Sequence, residues 1–356
     1  MKDMTETTPE QIREFRSQNP KMRERDIAAR LNISEAALVA AEVGLTATRI
    51  APEPSHLLDH AESFGEIMAL SRNESAVHEK IGVFENIKNG KNAAIVLGEN
   101  IDLRIFPSRW AHAFAVTKTD ENGAEKLNLQ YFDMTGTAVF KLHLRPASNV
   151  DAYRDFVEKY RLEDQSQTVL TEAFAPHDAD HARDTNAVDV ELLRDRWTAL
   201  TDTHQFFGML NDLKVHRQTA IATVGDDYAY RLADDAVATM FHAAAETPDL
   251  PLMVFVANNG IVQIHSGPVS NVVEMGPWIN VMDPTFHLHL RRDQIAETWL
   301  VRKPTSDGHV TSIEAFNANG ELIIQFFGKR LEGYAERPVW RALAESLPRH
   351  AQTAAA

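Results

Sequence analysis

The residues best suited to chemistry lie close together in the segment 197–210 (WTALTDTHQFFGML). Apolar residues recur there with helical spacing, which predicts one helix with a buried apolar stripe. His204 lies at the margin of that stripe, one turn from Leu200 and Phe207. A neutral imidazole binds iron, and an apolar wall beside it can contact a macrocycle and exclude water. The pattern also fits a hydrogen-bonded core or capping histidine, and the spacing alone favours that plainer role.

A second set of candidate ligands lies in the acidic stretch 163–189, which we interpret as a linker between two domains. Within it, His177 and His181 flank Asp178 and Asp180. A metal site needs surrounding groups that hold its ligands in place. No apolar shell accompanies these four residues, so a solvated loop is the better prediction.

The composition excludes several kinds of site. The chain has no cysteine, which removes disulfides, thiolate nucleophiles, iron–sulfur clusters, cysteine-ligated zinc and thioether-attached heme. No glycine-rich phosphate loop, dinucleotide-binding pattern or Gly-x-Ser-x-Gly motif is present. Metal chemistry must therefore use His, Tyr, Met or carboxylates, and the 15 histidines supply enough ligands.

Length and charge describe an acidic protein with a substantial core. The 356 residues, 44% of them hydrophobic, suffice for two domains or one large one. Lys+Arg 36 against Asp+Glu 51 give a net charge of −15, a field that repels nucleic acid and anionic membranes. The first residues lack the apolar core of a secretory signal, and no window approaches the ~20 apolar residues of a membrane span. We expect a cytoplasmic protein with no nucleic acid partner and no membrane insertion.

Residues 1–48 form a predicted helical segment. Pro9 suits a first helical turn, and Asn32-Ile33-Ser34 resembles the turn of a helix-turn-helix. A recognition helix displays basic or amide side chains to bases, yet residues 35–42 (EAALVAAE) offer almost none. We therefore favour a small packing subdomain and keep DNA binding as the alternative.

The rest of the chain carries signs of an internal duplication. The run 116–123 (VTKTDENG) aligns with 301–308 (VRKPTSDG), and 132–136 (FDMTG) aligns with 316–320 (FNANG). These runs predict hairpins whose tight turns use Asp or Asn with a glycine, where a positive φ costs little. The predicted organisation is a helical segment (1–48), a first α+β repeat (49–162), an acidic linker (163–189) and a second α+β repeat (190–350).

Six runs of residues resemble the HemS/HmuS/ChuS family of bacterial cytoplasmic heme-utilisation proteins, in one order along nearly the whole chain. The runs are 101–106 (IDLRIF), 200–208 (LTDTHQFFG), 217–218 (RQ), 251–256 (PLMVFV), 263–268 (QIHSGP) and 302–308 (RKPTSDG). The resemblance implies an α+β fold that duplicates a unit of helices plus an antiparallel sheet, giving two stacked large antiparallel β-sheets flanked by helices. It also implies that His204 is the axial iron ligand of one noncovalent heme b (iron protoporphyrin IX).

The resemblance assigns further contacts to the heme. Arg104 is expected to lie opposite His204 and to donate hydrogen bonds to an iron-bound water or oxygen species, which makes it the catalytic candidate if the protein is an enzyme. An ion pair with Asp102 is its plainer role. Phe106 and Phe255 are expected to face the porphyrin plane, although core packing explains them equally well.

The two propionates of a heme require basic groups, which a chain of net charge −15 must gather locally. The family pattern offers Arg217, Lys303 and Arg330, with Gln218 and Gln325 as neutral donors. A planar guanidinium suits a carboxylate particularly well. We expect these residues to form a basic rim, although each of them also fits a solvated surface position.

Two positions depart from the family pattern. Phe327, itself a candidate heme contact, stands where relatives often have a tyrosine, so a hydroxyl that could anchor a propionate is missing. Phe207 stands three residues after His204, where some relatives have a second histidine. Transfer of iron between two histidines of one helix is therefore not expected.

The first repeat is not expected to carry a heme site of its own. Aligning the two halves places Ala61 opposite His204, with only His60 nearby. We expect one heme per chain, and a second site at His60 or His78 is disfavoured.

The leading hypothesis is a heme-binding protein of bacterial heme-iron acquisition that traffics heme, degrades it to release iron, or does both. Expected partners are heme, a heme importer, a reductase or a downstream heme acceptor, and the protein is expected to be a monomer or homodimer. The alternative is a heme-responsive DNA-binding regulator that uses the helices of residues 1–48.

Overall fold

The computed structural model describes residues 7–120, 122–173, 178–247, 250–330 and 333–351. The helices are α1 (Pro9–Gln18), α2 (Glu24–Leu31), α3 (Glu35–Ala40), α4 (Pro54–His60), α5 (Val150–Tyr160), α6 (Val190–Thr198), α7 (Gln205–Leu213), α8 (Arg217–Thr223), α9 (Ala236–Ala245) and α10 (Pro338–Ser346). Over these parts of the chain, no helix has the length and apolar character needed to cross a membrane.

The strands form two large antiparallel sheets. The strands are β1 (Ala47–Ile50), β2 (Gly65–Arg72), β3 (Ala76–Gly82), β4 (Ile87–Lys88), β5 (Ala94–Leu97), β6 (Asp102–Ile105), β7 (His112–Thr119), β8 (Glu125–Phe132), β9 (Ala138–Ser148), β10 (Ala229–Leu232), β11 (Leu252–Ala257), β12 (Ile261–Gly267), β13 (Val272–Met275), β14 (Trp278–Asp283), β15 (Phe286–Arg291), β16 (Glu297–Thr305), β17 (Gly308–Phe316) and β18 (Leu322–Gly328). Each sheet has nine strands, in the orders β1-β7-β8-β9-β2-β3-β15-β14-β13 and β10-β16-β17-β18-β11-β12-β6-β5-β4. The predicted α+β class with two large antiparallel sheets is confirmed.

The chain divides into two compact units. The described residues of unit 1 are 7–72, 79–173 and 257–263, and those of unit 2 are 73–78, 178–247, 250–256, 264–330 and 333–351. The predicted helical segment 1–48 therefore shares a unit with the predicted first repeat, and the predicted linker is divided between the two units.

Unit 1 has its core between helices α4 and α5 and the strands they cover. Phe64 and Phe156 meet edge to face at 5.5 Å between ring centroids, and both are buried with Leu57, Tyr131 and Phe140. Burial of such large apolar side chains contributes about 1.5–3 kcal/mol each. This core fixes the helices on one face of the strands.

The N-terminal helices are capped as the sequence suggests, but the third is buried. Asn32 ends α2 in the left-handed region (φ 53), and the Ser34 side chain accepts a hydrogen bond from the Ala37 N–H at the start of α3. Helix α3 then packs against Phe114 and Phe132. A buried helix of this kind cannot lie in a DNA groove, so the geometry argues against α3 as a recognition helix.

Residues 163–173, predicted to be part of a solvated linker, lie against unit 1. The Gln165 side chain accepts from the Arg49 N–H at 3.0 Å and donates to the Arg49 carbonyl at 2.9 Å. Val169 packs against the core cluster that contains Phe114. Because this segment pairs its polar groups with a strand backbone, it is an ordered strap and not a free connection.

Unit 2 has two apolar clusters. In one, Phe241 of α9 and Phe326 of β18 meet edge to face at 5.1 Å, beside Trp340 of α10. In the other, Trp197 and Ile221 hold α6 and α8 against strands β16 and β17. The second cluster supports the candidate site described below.

The predicted tight turns are confirmed. Four glycines in hairpin turns adopt positive φ, namely Gly123 (φ 80), Gly136 (φ 76), Gly308 (φ 115) and Gly320 (φ 76). An L-residue with a side chain adopts such a φ only with strain, which explains why these positions carry glycine. The turns at Gly308 and Gly320 join β16, β17 and β18, which carry the candidate residues Lys303, Gln325 and Phe327.

Candidate functional site

His204 lies in a loop, not inside a helix. Helix α6 ends at Thr198 and α7 begins at Gln205, so His204 is the N-cap residue of α7. The expectation of one helix over 197–210 is therefore wrong. The Asp202 carboxylate accepts the His204 backbone N–H at 2.7 Å, and the Gln205 side chain accepts the Thr201 N–H at 2.9 Å. These bonds satisfy backbone donors outside a helix, and so they separate the two helices.

The imidazole of His204 is oriented by a carboxylate. Its Nδ1 lies 2.7 Å from Asp202 Oδ1, while 86% of the side chain is exposed. The pKa of Asp202 is lowered, chiefly by the His204 backbone N–H and further by the imidazole and Arg330. An ionised Asp202 keeps the proton on Nδ1, which leaves Nε2 able to act as a metal ligand. Carboxylate-bound imidazoles of this kind are common among metal-ligating histidines.

The aromatic residues beside His204 divide into a buried one and an exposed one. Phe206 is buried and meets Trp197 edge to face at 4.7 Å between centroids. Phe207, expected in the buried stripe, is 54% exposed. It lies one turn after His204, and a Cβ added at Gly208 would meet no atom within 4 Å. This face of α7 therefore offers an imidazole, an exposed ring and open space.

Two cations share one buried carboxylate near Phe206. Glu314 accepts hydrogen bonds from Arg217 Nε at 2.8 Å and Nη2 at 3.0 Å, and from Lys303 Nζ at 2.5 Å. The Ser312 hydroxyl also donates to Glu314 at 2.8 Å. Lys303 is only 3% exposed, so it is not part of an exposed rim. We call Arg217, Lys303, Ser312 and Glu314 the cation cluster.

Burial sets the charge states of this cluster. Burial lowers the pKa of Lys303 to about 8, against the attraction of Glu314. Burial alone would raise the pKa of Glu314, but Arg217 and Lys303 hold it well below its ordinary value. At neutral pH the cluster thus carries two positive charges and one negative charge. Both cations lie over the Phe206 ring, at 5.1 Å for Arg217 Cζ and 4.8 Å for Lys303 Nζ.

Sequence reasoning missed Glu314. A signal was available, because the Asp307-Gly308 turn fixes the register of β16 with β17 and pairs Trp299 with Glu314. Residues two apart on a strand share a face, so Lys303 and Glu314 had to lie on the same face of the hairpin. A lysine and a glutamate that share a face with Trp299, Val301 and Phe316 indicate a buried ion pair.

Some of the remaining predicted heme contacts of unit 2 lie beside the cation cluster. Phe255 and Phe327 meet edge to face at 5.1 Å, and Lys303 Nζ lies 5.8 Å from the Phe327 centroid. Gln325 stands across the sheet from Phe255 on one side and Glu314 on the other. This group therefore borders the cation cluster.

Two further predicted contacts face elsewhere. Gln218 donates to Glu297 at 2.6 Å, and Glu297 also accepts from Trp299. Arg330 donates to the Tyr334 carbonyl at 3.4 Å. Arg330 is close enough to lower the pKa of Asp202, whereas Gln218 belongs to a separate polar group.

Arg104 and Phe106 lie in unit 1. Arg104 forms an ion pair with Asp102 two residues earlier on β6. Burial raises the pKa of Asp102 although Arg104 opposes this shift. Phe106 follows the strand, is 37% exposed, and donates its N–H to the Gly260 carbonyl at 3.0 Å. The ion pair with Asp102, which is the plainer role expected of Arg104, is present in the structure. The role of Arg104 in heme binding stays a prediction.

The helical elements of the two units can be matched directly. Helices α2 and α7 are each followed by a C-cap residue in the left-handed region, Asn32 (φ 53) and Lys214 (φ 51), and then by a short helix. Met22 precedes Asn32 by the same number of residues as His204 precedes Lys214, so Met22 corresponds to His204. The alignment that placed Ala61 opposite His204 is incorrect, because Ala61 follows α4, the helix that precedes β2 as α9 precedes β11.

In unit 1 an ion-pair cluster takes the place of the aromatic residue. Glu24, at the position of Phe206, accepts from Lys118 Nζ at 2.6 Å and from Arg16 at 2.8 Å, and lies 3.7 Å from Lys141 Nζ. Burial alone would raise the pKa of Glu24, but these lysines and Arg16 hold it at about 2. This difference favours the prediction of one heme site per chain.

The two histidines considered for a second site are both enclosed by contacts. His60 Nε2 lies 3.1 Å from the Tyr160 hydroxyl and 3.1 Å from Lys159 Nζ. His78 is fully buried, with its ring centroid 5.0 Å from that of Phe286. His60 Nε2 is thus engaged by two neighbouring side chains, and His78 is enclosed in the core.

Of the two linker histidines, the structure describes His181. His181 lies 3.9 Å from Asp180, and His216 lies 3.5 Å from Asp178. His177 falls outside the described residues. Over the described ranges, no three His, Asp or Glu side chains are grouped so that they could hold a metal ion.

Comparison with known proteins places these features in a family. The model of the haemin-degrading HemS.ChuX domain matches residues 32–160 and again 214–347. The hemin transport protein HmuS of Yersinia pestis is 35% identical over 333 residues, 93% of this chain and 94% of that protein.

Solved structures agree with this match. Holo-PhuS, a heme-binding protein from Pseudomonas aeruginosa, has 40% identity and a TM-score of 0.92, covering 96% of this chain and 100% of that one. The heme degrading enzyme ChuS of Escherichia coli O157:H7 has 36% identity and a TM-score of 0.86, covering 94% and 97%. The resemblance inferred from the six sequence runs is confirmed. The chain therefore belongs to the family of the haemin-degrading HemS.ChuX domain.

Proposed function

We propose that this chain binds one noncovalent heme b through Nε2 of His204 and serves bacterial heme-iron acquisition in the cytoplasm. The observation that carries the proposal is the pairing of His204 Nδ1 with Asp202 at 2.7 Å, on a face of α7 that also exposes Phe207. A fixed tautomer, an accessible Nε2 and a neighbouring aromatic surface are what an axial heme ligand requires. The names of the relatives, which include hemin transport and heme-binding proteins, support the same ligand.

The charge distribution of unit 2 supports a dianionic ligand. The cation cluster has a surplus of one positive charge, and Arg330 lies near Asp202. Heme carries two propionates, so we assign Arg217, Lys303 and Arg330 to them, with Gln325 as a neutral donor. Phe255 and Phe327 are assigned to contacts with the macrocycle.

Binding leads to transport or to degradation. Bound heme supplies a redox-active iron, and the protein supplies the axial imidazole and the groups that orient the macrocycle. Degradation is the second candidate because a relative of 36% identity is a heme degrading enzyme. For that reaction we assign Arg104 as the group that would donate hydrogen bonds to a water or oxygen species at the iron, with Phe106 beside the macrocycle. An importer, a reductase and a downstream heme acceptor are the proposed classes of partner.

A hemin titration tests the assignment of His204. Hemin added to the purified protein should give a shifted Soret band that saturates at one hemin per chain, and His204→Ala should abolish or strongly alter that band. His242→Ala is the matched control, because His242 is also exposed and its Nε2 lies 2.9 Å from the Glu274 carboxylate. A His204→Ala spectrum identical to that of the wild type refutes the ligand assignment.

A further inference from the structure

Glu314 occupies an unusual position for a carboxylate. It is fully buried in β17 and accepts hydrogen bonds from Arg217, Lys303 and Ser312 at 2.5–3.0 Å. The Arg217 contact is bidentate, which fixes the plane of the guanidinium as well as its distance. One carboxylate thus sets the geometry of both cations.

The charges of the cation cluster do not balance. Two cations face one anion, and the charged groups that act on Lys303 are Glu314 and Arg217. A buried surplus charge is costly unless a counter-charge pairs with it. Lys303 Nζ lies 2.5 Å from Glu314, and this carboxylate opposes the lowering of the Lys303 pKa by burial, which favours the charged ammonium. The extra positive charge of the cation cluster is therefore suited to neutralisation by an anionic group of a bound ligand.

The surroundings define that ligand. The cations lie over the Phe206 ring, and Lys303 also lies within 5.8 Å of the Phe327 centroid. A ligand that places a carboxylate here beside aromatic rings is a flat apolar molecule with an acidic edge. This description rests on the proposed function, under which the acid group is a heme propionate.

We propose that Glu314 is a positioning residue that holds Arg217 and Lys303 as a preorganised pair of cations for a propionate. It touches neither the iron nor the macrocycle, and acts only through the two cations. Without its charge, the guanidinium loses its bidentate partner and the ammonium loses its only described carboxylate partner.

The test compares hemin with hemin dimethyl ester, in which both propionates are uncharged. Glu314→Gln should weaken hemin binding about ten- to hundredfold, the worth of one charge-assisted hydrogen bond. Binding of the ester should change by less than about twofold. Glu336→Gln is the matched control, because Glu336 is a buried carboxylate that accepts from Arg341 Nε at 2.9 Å and from Thr311. It should leave both affinities unchanged.

The outcomes separate the two proposals. Equal losses of hemin and ester binding in Glu314→Gln overturn the positioning role, because a structural defect does not distinguish the two ligands. Wild-type protein that binds neither ligand refutes the proposed function instead. If circular dichroism shows that Glu314→Gln is unfolded, Lys303→Met replaces it, since this change removes one of the two cations that Glu314 holds. An unchanged preference of Lys303→Met for hemin over the ester also overturns the inference.

Discussion

The pairing of Asp202 with His204 leads to a sharp prediction about ligand strength. Asp202 accepts two hydrogen bonds from His204, one from the backbone N–H and one from Nδ1, both at 2.7 Å. In Asp202→Asn the amide oxygen can still accept the backbone bond, so the turn before α7 is kept. What is lost is the charge that orients the imidazole and strengthens Nε2 as a donor.

The expected size of the effect follows from the exposure of the pair. Removal of a partner that orients a metal-ligating histidine costs about 10–100-fold in affinity, or about 1.4–2.8 kcal/mol. Because 45% of the Asp202 side chain is exposed, solvent screens the pair and the lower end applies. We expect hemin affinity to fall about tenfold in Asp202→Asn. Asp202→Ala should lose more, because it also removes the backbone bond.

Two measurements check this prediction. Hemin dissociation rates, followed by transfer to an excess of a high-affinity acceptor, give the loss of affinity. Resonance Raman spectra of the reduced complex should place the iron–histidine stretching band at lower frequency in Asp202→Asn, because the imidazole is a weaker donor. Glu274→Gln, which alters the carboxylate partner of the exposed His242, is the control and should change neither. Unchanged rates and an unchanged band in Asp202→Asn would refute the reasoning.

Two more predictions concern unit 1. Neighbouring cations hold the pKa of Glu24 at about 2, below its ordinary 4.5, so its contribution to stability is present above pH 4.5 and is lost as the pH falls to about 2. Denaturant titrations should therefore show the wild type losing about 3 kcal/mol more than Glu24→Gln across that window, and parallel curves would contradict the assignment. For the degradation hypothesis, heme loss in the presence of a reductant and catalase should persist in the wild type and stop in Arg104→Ala. If catalase abolishes heme loss in the wild type, free peroxide is responsible and the protein is a carrier.

Local sequence patterns were sufficient to predict the hairpins and the α+β class of the fold. Asp or Asn with glycine near positions 123 and 308 predicted tight turns, and both glycines adopt positive φ. The apolar residues on either side of Gly98 also favour a strand pair, and Val96 is paired with Leu103 across β5 and β6. These features depend on residues that are close in sequence, so the pattern of residue types is sufficient to find them.

Other features depend on competition between local contacts or on distant partners. Apolar spacing predicted a helix through His204. The Asp202 side chain instead accepts the His204 N–H, and this hydrogen bond takes the place of a helical one. The burial of Lys303 depends on Glu314, which is eleven residues away on the neighbouring strand. The assignment of residues 257–263 to unit 1 depends on partners far away in the sequence, such as the Trp110 side chain that donates to Gly260. Periodicity alone carries no information on such pairings.

The proposed function depends on ligation of the heme iron by Nε2 of His204. A crystal structure of the protein with hemin, with data collected at the iron absorption edge, tests it most directly. We expect one anomalous iron peak per chain, bonded to Nε2 of His204, with Nδ1 still hydrogen-bonded to Asp202. An iron peak bonded to any other side chain, or a heme bound with His204 turned away from the iron, would contradict it.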